Sequence, residues 1–230
     1  MYYQKILSLG ILLTSILHSS GLIAEDSLPL KPTRNVSFVT DEGSALSIDV
    51  SPDGKALIFS LLGDLYTLDI NGGKAKRITS GMAFDTHPVY SPDGTKIAFT
   101  TDRSGSQNLW VANADGSNPR NISQSNRAAL MYSPAWSPDG LYVYVTRGEN
   151  AKDQFRIWIH HINGGSGIPL TGTGLDTAAY NEIGPAPSPD GKYIYYAQGT
   201  GWKWWVQDPF WDVSRWNVKT NKVEKVIDET

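Results

Sequence analysis

The chain has 230 residues, no cysteine and a formal net charge of −3, with Lys and Arg spread along its whole length. This length corresponds to one or two domains. The lack of cysteine excludes disulfides, thiolate catalysis and cysteine-based zinc sites. The lack of a basic stripe argues against nucleic acid as a partner. Eight Trp and eleven Tyr favour β-strands.

The first element in chain order has the pattern of an export signal. Lys5 precedes an almost wholly apolar run over residues 6–17, and small residues lead to Ala24 before the acidic Glu25. This order is typical of a secretory signal peptide, and the apolar run is too short to span a bilayer comfortably. We predict a cleaved signal peptide over residues 1–24, a periplasmic or secreted location and no membrane span after cleavage. The alternative is an uncleaved N-terminal anchor.

The remaining residues, 25–230, repeat one tetrapeptide four times. Ser-Pro-Asp-Gly begins at Ser51, Ser91, Ser137 and Ser188, with spacings of 40, 46 and 51 residues. Such a period with strand-like content is the mark of propeller blades. One short strand precedes each tetrapeptide and three follow it, which matches the four strands of a blade. We predict an all-β fold: a β-propeller segment of four four-stranded antiparallel blades.

The chemistry of the tetrapeptide is that of a turn. Proline presets φ near −65°, and the final glycine can adopt a positive φ without steric cost. Each aspartate occupies the same turn of a different repeat, so we interpret all four as turn residues rather than as acid–base groups. They are Asp53, Asp93, Asp139 and Asp190.

Two runs carry a resemblance to a known family. Residues 91–123, SPDGTKIAFTTDRSGSQNLWVANADGSNPRNIS, resemble the repeat of TolB-like (WD-like) propellers. Residues 63–94 and the segment GPAPSPDGKYIYYAQGTGWKWW, residues 184–205, are similar to the N-terminal propeller of secreted proteins that continue into a metal-dependent amidohydrolase domain. This resemblance implies a propeller over about residues 35–220, without the α/β domain that precedes the propeller of TolB itself.

The resemblance also bears on completeness. TolB-like propellers usually close with six or more blades, and an open arc of four exposes two apolar faces and strand edges. We therefore expect an incomplete part of a six- or more-bladed propeller. The alternative is a complete four-bladed ring, in which residues 35–43 add a strand to the last blade.

No catalytic motif is present in the sequence. His160 and His161 are adjacent in a strand and point to opposite faces, so they cannot hold one metal ion together, and His87 stands alone. There is no nucleophile elbow and no phosphate-binding loop. We expect no metal, no cofactor and no catalysis by this chain itself.

Binding residues are predicted at two places. Asp102 and Arg103 follow a second strand, where they form a loop-ordering ion pair or contact a ligand. The aromatic run GWKWWVQDPFW, residues 201–211, replaces a short loop and either binds a partner or packs against another domain or blade. The candidate binding residues are Trp202, Trp204, Trp205, Trp211, Asp85, His87, Asp102 and Arg103.

Two functions follow from these predictions. The first is a periplasmic or secreted propeller that binds or scaffolds a protein or peptide partner. The second is the accessory propeller of an amidohydrolase, whose catalytic domain lies downstream in the same polypeptide. The reading frame beyond Thr230 distinguishes the two functions. In the second case it continues into an amidohydrolase domain.

Overall fold

The structure, a computed structural model, describes residues 34, 36–44, 46–125, 129–148, 155–171, 180–200 and 211–227. Within these ranges the chain forms sixteen β-strands and no helix. The strands belong to four antiparallel sheets of four strands each. The prediction of an all-β fold with four four-stranded antiparallel blades is therefore confirmed.

Each sheet is one repeat of the sequence, and its strands lie side by side in chain order. Blade 1 comprises β1 (Ile48–Val50), β2 (Ala56–Leu61), β3 (Asp64–Asp69) and β4 (Lys76–Arg77). Blade 2 comprises β5 (Thr86–Tyr90), β6 (Lys96–Thr101), β7 (Asn108–Asn113) and β8 (Arg120–Asn121). Blade 3 comprises β9 (Leu130–Trp136), β10 (Tyr142–Gly148), β11 (Arg156–His161) and β12 (Ile168–Pro169). Blade 4 comprises β13 (Tyr180–Pro187), β14 (Tyr193–Thr200), β15 (Trp211–Asn217) and β16 (Lys222–Ile227).

The repeated tetrapeptide forms the same turn between the first and second strands of every blade. In blade 2 the Ser91 hydroxyl donates to Asp93 Oδ1 at 2.6 Å and accepts the Lys96 backbone N–H at 2.9 Å. Gly94 has a φ of 71°, a value that glycine adopts without strain. The proline of one turn lies beside the glycine of the next, since a Cβ on Gly94 would stand 3.5 Å from Pro52 Cδ. The four turns therefore lie at one end of the arc of blades.

Apolar side chains fill the space between successive blades. Ile58 and Leu65 of blade 1 pack against Ile97, Phe99 and Trp110 of blade 2. Equivalent clusters join blade 2 to blade 3 and blade 3 to blade 4. The apolar face of each blade is therefore buried against the neighbouring blade, as in other repeat architectures.

The first strands of successive blades contact one another and so lie innermost. Side-chain hydrogen bonds join them: the Tyr90 N–H donates to Asp49 Oδ2 at 2.7 Å, and the His87 N–H donates to Ser47 Oγ at 2.8 Å. β5, β9 and β13 each carry a bulge at the residue four places before the turn serine. These residues have positive φ values: His87 (52°), Ser133 (51°) and Gly184 (67°).

The outer strands of the first three blades are shorter than the other strands of those blades. β4, β8 and β12 have two residues each, and only β16 has six. In blades 1 to 3 the chain leaves the short outer strand for the first strand of the next blade, whereas no strand follows β16 within the described residues.

Candidate functional site

The loops that carry Asp85, Asp102 and Arg103 share one end of the arc. Because neighbouring strands are antiparallel, loops between the second and third strands lie opposite the Ser-Pro-Asp-Gly turns. The connections that enter each first strand lie at the same opposite end. We call this the loop end: it comprises residues 62–63, 79–85, 102–107 and 123–129, apart from residues 126–128, which are not described. Asp85, Asp102 and Arg103 all belong to it.

Arg103 is paired with Asp85, not with its neighbour Asp102 as the sequence suggested. Arg103 Nη2 lies 2.6 Å from both carboxylate oxygens of Asp85. Asp85 is 1% exposed, and the guanidinium also lies 5.3 Å from the centre of the Trp110 ring. This buried pair joins the loop after β6 to the connection between blades 1 and 2.

Asp102 has a separate role in the same loop. Its Oδ1 accepts the Phe84 backbone N–H at 2.7 Å, and the Asp85 N–H donates to the Gly63 carbonyl at 2.8 Å. The connection between blades 1 and 2 is therefore hydrogen-bonded to both blades: to blade 2 through Asp102 and to blade 1 through Gly63. Of the candidates in this loop, Asp85, Asp102 and Arg103 position backbone rather than present free polar groups.

These contacts hold three apolar side chains toward solvent at the loop end. Leu62 is 75% exposed, Phe84 59% and Met82 45%. Leu62 also has a φ of 53°, a left-handed conformation that Leu rarely adopts. In the two-residue turn Leu62-Gly63, Asn or Asp is the favoured first residue. We call Leu62, Met82 and Phe84 the apolar patch, which sequence reasoning did not identify.

His87 lies in β5, one of the innermost strands of the arc. Its half-buried ring is 6.1 Å from the ring of Tyr132, which is in turn 5.5 Å from the ring of Phe155. Burial lowers the pKa of His87, which favours the neutral imidazole. His87 is thus one edge of an aromatic row across blades 2 and 3.

The aromatic run falls mostly outside the described residues, which exclude Trp202, Trp204 and Trp205. Trp211 is described, and it is the first residue of β15 rather than part of a loop. It pairs with Gly199 across the sheet, where a Cβ on Gly199 would stand 2.8 Å from the Trp211 ring. The ring lies on the β-sheet because Gly199 leaves room for it.

Sequence analysis did not identify a buried carboxyl group in blade 4. Glu182 is 4% exposed and accepts a very short hydrogen bond from the Thr171 hydroxyl. Burial raises the pKa of Glu182. Its position could have been found from the repeat, since Asp85 and Glu182 each stand six residues before the serine of their turn.

Within the described ranges, no three His, Asp or Glu side chains are grouped closely enough to hold a metal ion. The same part of the chain has no helix that is long and apolar enough to cross a membrane. The arrangement at the loop end is therefore one of ordered backbone, exposed apolar side chains and internally paired charges.

Relatives identified by sequence share this repeat. A protein of unassigned function from Agrobacterium fabrum is 29% identical over 157 residues, covering 64% of this chain and 53% of that protein. The Tol-Pal system protein TolB of Francisella tularensis subsp. mediasiatica is 25% identical over 195 residues, covering 64% of this chain and 43% of that protein. The chain thus spans about half the length of these relatives.

Solved structures show the same fold. TolB from Acinetobacter baumannii superposes with a TM-score of 0.62 at 25% identity, covering 82% of this chain and 44% of that one. Puromycin hydrolase gives a TM-score of 0.61 at 14% identity, covering 83% and 30%; this shows the fold alone. A family model described as the TolB beta propeller domain matches residues 30–208. The chain therefore belongs to the TolB β-propeller domain family.

Proposed function

We propose that the chain is part of an exported, protein-binding propeller that contacts its partner through the apolar patch at the loop end. The observation that carries this proposal is Leu62, which is 75% exposed and has a positive φ. A turn selected only for stability would have Asn, Asp or Gly at this position. Strained residues and exposed apolar groups are both concentrated at binding surfaces.

The surroundings of the patch support this assignment. Phe84 is anchored through its backbone by Asp102, and the next residue, Asp85, is fixed by Arg103. A patch held on rigid backbone loses little conformational entropy when a partner binds.

The periplasmic or secreted location is part of the same proposal. Its support is the order of basic, apolar and small residues over positions 1–24. Export also fits a chain that has no cysteine to be oxidised.

The test compares the same substitution, Leu to Asn, at opposite ends of the arc. Leu62→Asn changes the patch, whereas Leu141→Asn changes a leucine that is 47% exposed beside the blade 3 turn. A photo-reactive residue at position 84 identifies the partner in intact cells. We expect Leu62→Asn to weaken binding of that partner about tenfold or more, without loss of thermal stability. Equal affinity of the two variants would contradict the proposal.

A second candidate function places a catalytic domain of the same polypeptide on the loop end. Its support is the resemblance of residues 63–94 and 184–205 to propellers that precede an amidohydrolase domain. In that case the cross-link from position 84 forms within one polypeptide. A cross-link to a separate protein favours the first candidate.

A further inference from the structure

The chain has two methionines after the predicted signal peptide, and they lie in opposite environments. Met82 is 45% exposed at the loop end, whereas Met131 in β9 is 0% exposed and packs in the core between blades 2 and 3. The third methionine, Met1, lies in the predicted signal peptide, and the chain has no cysteine. Among the described residues, Met82 is therefore the only sulfur-containing residue that is exposed to solvent.

The backbone on both sides of Met82 is held by hydrogen bonds. On the N-terminal side, Thr79 Oγ1 accepts the Leu65 N–H at 2.8 Å. On the C-terminal side, Asp102 Oδ1 accepts the Phe84 N–H at 2.7 Å. Met82 is therefore exposed within an ordered connection, and its side chain is accessible while the protein is folded.

Met82 is the chemically reactive member of the apolar patch. Phe84 lies against the Leu62-Gly63 turn, since a Cβ on Gly63 would stand 3.2 Å from Phe84 Cδ2, and Met82 is two residues away in the same connection. The leucine and phenylalanine side chains are hydrocarbons that dilute peroxide does not attack, whereas the methionine thioether is readily oxidised. A peroxide that reaches the patch therefore modifies it at position 82.

The oxidation of a thioether by hydrogen peroxide is a transfer of one oxygen atom. The sulfur lone pair attacks a peroxide oxygen, and the O–O bond breaks as the S–O bond forms. The proton on the transferred oxygen passes to the departing hydroxide, which leaves as water. The sulfur loses two electrons and the peroxide gains them. The product, methionine sulfoxide, is polar, and methionine sulfoxide reductases convert it back to methionine.

We propose that Met82 is a site of reversible oxidation by hydrogen peroxide, and that its sulfoxide makes the apolar patch release its protein partner. This proposal rests on the function proposed above for the patch. A sulfoxide oxygen is a hydrogen-bond acceptor, and burying it against an apolar partner without a donor costs free energy. The contrast in exposure between Met82 and Met131 directs the oxidant to the patch rather than to the core.

Peptide mapping by mass spectrometry tests the modification site. The polypeptide that the source organism makes is treated with hydrogen peroxide, once folded and once in urea. In the folded protein we expect Met82 to gain an oxygen atom about 10-fold or more faster than Met131. In urea, where both side chains are exposed, the two rates should agree. A folded protein in which Met131 is oxidised as fast as Met82 overturns the proposal.

The affinity for the partner that is cross-linked from position 84 tests the consequence of oxidation. Peroxide treatment should weaken binding about fivefold or more, and methionine sulfoxide reductases should restore it. Met82→Leu cannot form a sulfoxide, so its affinity, whatever the value before treatment, should be the same after treatment. Met131→Leu is the control and should lose affinity on treatment as the unsubstituted protein does. An affinity that peroxide leaves unchanged in the unsubstituted protein, or lowers equally in Met82→Leu, overturns the proposal.

The Leu62→Asn variant separates a failure of this proposal from a failure of the proposed function. If Leu62→Asn weakens binding and oxidation of Met82 does not, the patch is a contact surface that peroxide does not regulate, and the oxidation proposal alone is wrong. If neither change alters the affinity, the partner binds elsewhere and both proposals are wrong.

Discussion

Arg103 Nη2 lies 2.6 Å from both carboxylate oxygens of Asp85, eighteen residues earlier in the chain. The pair joins the end of β6 to the connection between blades 1 and 2. That connection also presents Phe84 at the loop end. One buried ion pair therefore couples the packing of two blades to the position of the proposed contact surface.

Removing one partner of this pair should be strongly destabilising. Arg103→Met leaves the Asp85 carboxylate buried without its cation, and we expect a loss of about 3–5 kcal/mol in the free energy of unfolding. The control is Arg77→Met, which breaks an ion pair with Asp64 at 3.3 Å in which the Arg side chain is 56% exposed; we expect about 1 kcal/mol or less. Urea denaturation measures both. Similar losses in the two variants would show that the Asp85–Arg103 pair has no special role.

His160 should make the fold sensitive to acid. Its side chain is 1% exposed, and burial, with the nearby Arg147 charge, lowers its pKa to about 4, against weaker opposing backbone contacts with Ile122 and Gly165. The unfolded chain has the ordinary pKa near 6.5 and binds a proton first. Stability contributed by neutral His160 is therefore complete above pH 6.5 and is lost as the pH falls toward 4.

The expected loss between pH 8 and pH 5 is about 2 kcal/mol in the free energy of unfolding. His160→Leu should remove this part of the pH dependence. His161→Leu, on the opposite face of the same strand, is the control and should retain it. Denaturation curves at several pH values measure the slope. If His160→Leu leaves the slope between pH 6.5 and 4 unchanged, the charge of His160 does not govern acid stability.

Two glycines with similar backbone angles should respond differently to a methyl group. Gly72 and Gly116 have φ values of 92° and 86°, so alanine costs each about 1–2 kcal/mol in backbone strain. A Cβ on Gly116 would also stand 2.2 Å from the Ile78 carbonyl oxygen of blade 1, whereas Gly72 has open space. We expect Gly116→Ala to be more destabilising than Gly72→Ala by about 1–3 kcal/mol. Calorimetry decides the order, and equal Tm values would rule out a tight contact at Gly116.

The serine of the repeated turn should be required for its geometry. Ser137 Oγ donates to Asp139 Oδ1 at 2.6 Å and accepts the Tyr142 N–H at 2.9 Å. Ser137→Ala leaves the Tyr142 amide, in a partly buried hydrogen bond, without this acceptor, and we expect a loss of about 1 kcal/mol in the free energy of unfolding. Ser137→Thr keeps the hydroxyl and is the matched variant. The free energy of unfolding measures both, and an equal loss in Ser137→Thr would point to packing rather than hydrogen bonding.

The local architecture of this protein follows from its sequence. Ser-Pro-Asp-Gly forms its turn with bonds among six neighbouring residues, so the serine, the aspartate and the glycine at Gly94 can be interpreted without any distant contact. Four copies of the turn and the alternation of apolar residues after it are sufficient to define the blades. The strand order within each blade follows, because strands that are consecutive in the chain usually pair as neighbours.

The side-chain contacts between blades, and the burial of individual residues, depend on the tertiary structure. Arg103 pairs with Asp85 rather than with the adjacent Asp102, because the connection from blade 1 brings the Asp85 carboxylate to the Arg103 guanidinium. Asp102 instead accepts a hydrogen bond from the Phe84 backbone in the same connection. Trp211 lies in β15 because Gly199 on the neighbouring strand leaves room for its ring. His160 is buried between groups of its own blade, such as Trp158, and Ile122 of blade 2, which is distant along the chain. Leu62 is exposed because its turn lies at the loop end, beyond the packed faces of the blades.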